Sequence, residues 1–168
     1  MNDIDITLAA GGGYFIHRVG AVIIQDNKLL MIKNENFPYF YSVGGRVKFG
    51  ETSESAVLRE VYEETQVRMD IARLAFVHEN FFTVDFLNHA PGHEISLFYL
   101  MNQTDGIEHM KSGSAGADGG RESLHWLPLD DLSEYHLFPE FFKTELKNID
   151  SGGVEHFISK DGNTFRAK

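Results

Sequence analysis

A chain of 168 residues, 42% hydrophobic and 24% charged, has the length and composition of one globular domain. It contains no cysteine, which excludes disulfides, zinc ribbons, iron–sulfur clusters and thiol nucleophiles. Its net charge of −10 argues against DNA or long RNA as a partner, although a bound divalent cation inverts that logic locally for a small phosphate compound.

In chain order, Met1 to Ala10 carries Asp3 and Asp5 and no basic residue, the reverse of a secretory signal. No window approaches the roughly 20 apolar residues of a membrane span. The expectation is a soluble, cytoplasmic protein. Tyr14 to Ile24 reads as a strand, Gln25-Asp26-Asn27 as a turn and Lys28 to Lys33 as the returning strand of a hairpin. Phe37 to Val43 is a short aromatic segment that runs into Gly44-Gly45. Thr52 to Gln66 has the composition of a helix, and strand-like stretches follow at Leu74 to Asp85 and Glu94 to Asn102. Lys111 to Gly120 is a glycine-rich loop, and Leu124 to Leu127 is a further strand. Pro139 to Asn148 reads as a helix with Phe141, Phe142, Leu146 and Ile149 on its apolar side. Asp161-Gly162 marks a turn within a last strand pair. Interleaved strands with few helices predict a single α/β (α+β) domain over 1–168, a mixed β-sheet with helices against its faces.

The chemistry concentrates on the helix from Thr52. Thr52 suits an N-cap, and at about 100° per residue Glu60, Glu63 and Glu64 share one arc, with Leu58, Val61, Tyr62 and Thr65 expected to pack opposite it. Three like charges at this spacing repel one another by a few tenths of a kcal/mol per pair. They also present the hard oxygen donors that magnesium requires. Spacing alone leaves two readings open, because Arg59 is spaced to pair with Glu63, and Glu64 with Arg68, on a solvated face.

The segment before the helix adds context. Gly45, Glu51, Arg59, Glu60, Val61, Glu63, Glu64 and Val67 resemble the Nudix box, G-x5-E-x7-R-E-U-x-E-E-x-G-U with U aliphatic, over 45–67. One position departs: the late glycine of the box is Gln66. If that glycine serves a left-handed helix end, Gln66 costs about 1 kcal/mol and removes no ligand.

The resemblance, which covers roughly Val19 to Leu132, implies a Nudix fold and a hydrolase that cleaves a diphosphate linkage in a nucleoside diphosphate derivative. It implies Mg as cofactor, with Mn as a substitute, held by Glu60, Glu64, Glu63 and the Gly44 carbonyl. Arg59 would orient Glu60, and Glu51 would support from behind. A carboxylate acts as general base, either in the box or on a later loop; Glu122 is the later candidate, ahead of Glu108 and Asp118, with an exposed loop acid as its plain alternative. Arg46, Phe40, Tyr41 and Trp126 are the candidate substrate contacts, with Phe37, Tyr39, Phe81 and Phe82 as further aromatics for a base. His78, His93 and His125 are weaker candidates for phosphate.

The rival expectation is a catalytically silent Nudix-fold module that binds a nucleotide, since fold does not fix function. The expected partner is a small nucleotide-like molecule, with no nucleic acid polymer and no membrane; a homodimer is common in such folds, and nothing in the sequence demonstrates one. The substrate stays open. The lack of cysteine argues against zinc-ribbon NADH pyrophosphatases, the proline that follows the box in many ADP-ribose pyrophosphatases is missing near Thr83, and no coenzyme-A signature precedes the box.

Overall fold

The computed structural model describes residues 4–84, 89–106, 110 and 119–167. Asp85, Glu108, Asp118 and most of the glycine-rich loop lie outside the described residues.

Two-residue turns with both φ values positive set the hairpins, because that backbone matches the twist of paired strands. Asp26-Asn27 joins β3 (Ile24–Gln25) to β4 (Lys28–Asn34), and Asp161-Gly162 joins β10 (Glu155–Lys160) to β11 (Asn163–Arg166). A third such turn, Gly11-Gly12, pairs β1 (Thr7–Ala10) with β2 (Gly13–Val22) and adds a strand that the N-terminal segment did not announce.

In the centre of the sheet, β2 lies antiparallel to β5 (Phe40–Arg46) and parallel to β7 (Ala90–Met101). Beyond β7 comes β6 (Ile71–Val84), then β10 in parallel pairing with β6. On the other side β4 pairs with β5, β8 (Glu122–Pro128) pairs with β4, and the short β9 (Leu137–Phe138) runs parallel to β5. The sheet is mixed, as expected. Both long strands, β6 and β7, begin several residues before the apolar runs from which they were read.

Side chains alternate across the pleat and fill two cores. Leu30 and Ile32 of β4 join Val19, Ala21, Val43 and Tyr99 beneath the helix α1 (Ser53–Thr65). Leu29 and Met31 join Phe76, Phe98, Phe141, Phe142 and Phe157 on the opposite face, under a 3-10 turn at Leu129–Glu134 and the short helix α2 (Phe142–Glu145). The helix expected over Pro139 to Asn148 is therefore only one turn long. Past Glu145 the chain tightens to 3-10 and leaves helical angles at Asn148 (φ −118°, ψ 20°). The four apolar residues that suggested the helix are all buried, so the burial expectation held while the helix length did not.

Candidate active site

Helix α1 starts where its cap dictates. Thr52 stands outside the helix in extended conformation, and its side chain accepts the Ser55 N–H (3.1 Å). At the other end Gln66 adopts left-handed angles (φ 61°, ψ 15°), the conformation in which glycine would be strain-free. Its own amide offsets that strain. The Gln66 Nε2 donates to the carbonyls of Tyr62 (3.2 Å), which also accepts the Gln66 backbone N–H, and Glu63 (3.0 Å), near a helix end that leaves its last carbonyls short of donors.

The helix is rotated relative to the sequence expectation. Ala56, Val57, Val61, Glu64 and Thr65 are its buried residues, whereas Leu58 and Tyr62 lie outside, each 38% exposed. Glu60 and Glu64 thus fall within the buried half of the surface, and only Glu63 faces solvent, its side chain half exposed. The Glu64–Arg68 pair that the spacing allowed is absent among the described residues; Arg68 lies over the Tyr62 ring, at 4.5 Å. The reason is in β5. Gly44 has φ 143°, and a Cβ there would collide with the Val19 carbonyl; a Cβ on Gly45 would collide with the Glu60 carboxylate. The missing side chain of Gly44 lets β5 lie close against β2, and that of Gly45 lets the Glu60 carboxylate lie against bare backbone.

Arg59 sets the arrangement. Its Nε and Nη2 donate to the two oxygens of Glu51 (2.9 Å each), Nη1 to Glu60 (2.7 Å) and Glu63 (3.2 Å), and Nη2 also to the Arg46 carbonyl (3.1 Å). A guanidinium has five N–H donors, so all are used within the protein. Arg59 is a positioning group with no donor left for a phosphate. Its fork holds the Glu51 carboxyl below the usual carboxylate range, and Glu51 in turn raises the guanidinium further.

Glu60 and Glu64 behave oppositely. Burial pushes Glu60 up, against the pull of Arg59. Burial pushes Glu64 well above its ordinary value, with the charges of Glu60 and Glu122 adding to the effect. The Gly44 N–H, donating to Glu64 Oε2 at 2.8 Å, opposes the shift. Arg18, whose charge acts on both carboxylates, was not singled out in the sequence; it stands across the strand pair from Arg46, so two guanidinium groups flank this end of the sheet. Each has a carboxylate nearby, Glu94 for Arg18 (4.0 Å) and Asp5 for Arg46 (3.8 Å), and their closeness to one another follows only from the strand register.

The later acid also arrives here. Glu122 is the first residue of β8 rather than a loop residue, and it accepts a 2.5 Å hydrogen bond from the Tyr41 hydroxyl. Trp126, two pleats on, is half-buried in the α1-side core. Phe40 is not brought in: it packs in the opposite core, edge-on to His125 and Tyr135, with the Lys33 ammonium over its ring. His78 is buried on that same far side, bonded to Ser159 (2.8 Å), and burial, with His156 adding, lowers it to about 4. His93 stacks on Phe81, at 4.3 Å between centroids.

The donor set suits a divalent cation by its chemistry. Glu60 and Glu64 are desolvated carboxylates within each other's field, Glu122 adds a third charge, and every donor is a hard oxygen. Among the described residues no three such side chains are already gathered around a common point.

A family model, the NUDIX domain, matches residues 15–147, and the chain belongs to this family, the Nudix hydrolases. Among curated relatives, a MutT-like protein of Streptomyces ambofaciens is 27% identical over 143 residues, 85% of this chain and 81% of the relative. An ADP-ribose pyrophosphatase of Methanocaldococcus jannaschii is 33% identical over 114 residues, 66% of this chain and 63% of that protein. The crystal structure of a mutator MutT protein from Bacillus halodurans shares the fold, with a TM-score of 0.63 at 13% identity, over 89% of this chain and 94% of that one. Among the described residues no helix is long and apolar enough to cross a membrane.

Proposed function

We propose that the chain is a magnesium-dependent pyrophosphohydrolase that cleaves the diphosphate linkage of a nucleoside diphosphate derivative. The observation that carries the reading is the Arg59 fork, which holds Glu60 in the space left by Gly45, while the Gly44 N–H holds Glu64. Glu60 and Glu64 would hold the cation, with Glu63 and the Gly44 carbonyl completing its shell. Held there, a magnesium or manganese ion would supply Lewis acidity, making a water more acidic and offsetting the charge of the diphosphate. Glu122 takes up the proton of the attacking water. Arg46 and Arg18 hold phosphate oxygens, and Trp126 offers an apolar edge to the leaving portion.

The test is hydrolysis of a panel of ADP-ribose, nucleotide sugars and nucleoside triphosphates, with product identification. A phosphorylated product should appear with Mg2+ or Mn2+, cease with chelator, and form at least about a hundredfold more slowly in Glu60→Gln with the circular dichroism unchanged. Tight nucleotide binding without turnover across the panel would make the chain a binding module.

A further inference from the structure

Tyr41 was expected to meet substrate through its ring, but its hydroxyl is engaged elsewhere. We propose that Tyr41 is a positioning residue that holds the Glu122 carboxylate in place for proton transfer; this rests on the reading of Glu122 as the general base.

The two residues sit on strands that are not neighbours. Tyr41 on β5 and Glu122 on β8 flank β4 from opposite sides, paired there with Ile32 and Asn34 respectively. Two inter-strand spacings, about 9.5 Å, separate their backbones. Neither side chain spans that gap alone; the tyrosine reaching from one strand and the glutamate from the other meet over β4. The hydroxyl donates to Glu122 Oε1 at 2.5 Å, and the side chain of Asn34, itself 1% exposed, bonds the same phenol from β4. Burial, then the Glu122 carboxylate, hold the phenol far above its ordinary value, so it keeps its proton and remains a donor.

The backbone beside Glu122 is secured independently. The Glu35 N–H donates to the Arg121 carbonyl (3.1 Å), and the Arg121 N–H donates to Glu35 Oε1 (3.0 Å). With its main chain clasped at Arg121 and its carboxylate tied to Tyr41, Glu122 stays within the field of Glu64. A ring engaged in this way, half-buried and edge-on to Tyr39 at 6.4 Å, is poorly placed to stack on a base.

The experiment compares Tyr41→Phe, Glu122→Gln and the double variant on the most rapidly hydrolysed compound of the panel. Tyr41→Phe should lower kcat about tenfold and leave KM within twofold, and Glu122→Gln should lower kcat about a hundredfold. The double variant should be no slower than Glu122→Gln alone. In the metal-free protein, the carboxyl carbon resonance of Glu122, assigned by its loss in Glu122→Gln, should move in Tyr41→Phe. A raised KM at unchanged kcat, an unmoved resonance, or a further tenfold loss in the double variant would overturn the proposal while leaving Glu122 as base. A near-wild-type kcat in Glu122→Gln would instead remove the base assignment, and Tyr41 with it.

Discussion

The two faces of the central sheet are made of different materials. On the α2 side, Phe76, Phe98, Phe141, Phe142 and Phe157 interlock edge-to-face or stacked, with centroids as close as 4.4 Å. The α1 side begins in the same apolar manner, with Val19, Leu30, Val57 and Val61, but its end takes in Arg59, Glu60 and Glu64. Burying carboxylates costs stability, and burying aromatic rings contributes it. Stability should therefore be concentrated on one face and reactivity on the other.

The sharpest way to break this contrast is a crossed pair of variants. Glu64→Gln should lower turnover at least about a hundredfold while stability stays equal or rises, because a neutral amide accepts the same Gly44 N–H without a desolvated charge. Phe142→Ala, at a fully buried position, should cost about 3–5 kcal/mol in urea denaturation and leave kcat per folded molecule within twofold. If either variant lost both properties together, the division between faces would be wrong.

A smaller effect sits on the aromatic face. His78 has its folded value lowered from 6.5 to about 4, so between those values the unfolded chain binds a proton that the folded chain does not. Folding stability should fall by up to about 3 kcal/mol from this group as pH drops through that window, and be fully present above 6.5. Denaturation curves at pH 7 and 4.5 should show a smaller difference for His78→Gln than for the wild type; an identical difference would dismiss the group. The smallest change is expected at Gln66→Gly, where relief of the left-handed strain is offset by loss of two side-chain hydrogen bonds. Stability should shift by less than about 1 kcal/mol, with kcat untouched.

What could be read from the chain was local. Asp26-Asn27 and Asp161-Gly162 marked their hairpins, and the helix expected over Thr52 to Gln66 is observed as Ser53–Thr65 with those two residues as its caps. The membership of Glu60, Glu63 and Glu64 in one arc was also correct, since it follows from helical pitch. Which way that arc faces was not legible, because it depends on the Gly44-Gly45 backbone lying against the helix. Likewise, Tyr41 and Glu122 are 81 residues apart and meet across a third strand, and Arg18 becomes meaningful only when its register places it beside Arg46. Long-range pairings of this kind leave no periodic trace in a single chain.

The five hydrogen bonds of Arg59 have a consequence for how the chain can vary in length. One rigid guanidinium joins the Arg46 carbonyl, the Glu51 carboxylate and the helix carrying Glu60, so it acts as a ruler laid across the loop and the first turns of the helix. Substitutions at Lys48 or Phe49 leave the ends of that ruler in place. A single residue inserted between Arg46 and Glu51, or between Glu51 and Arg59, moves one end out of reach. The fixed spacing of the motif is thus a distance written in residues, and this stretch should accept changes of side chain far more readily than changes of length.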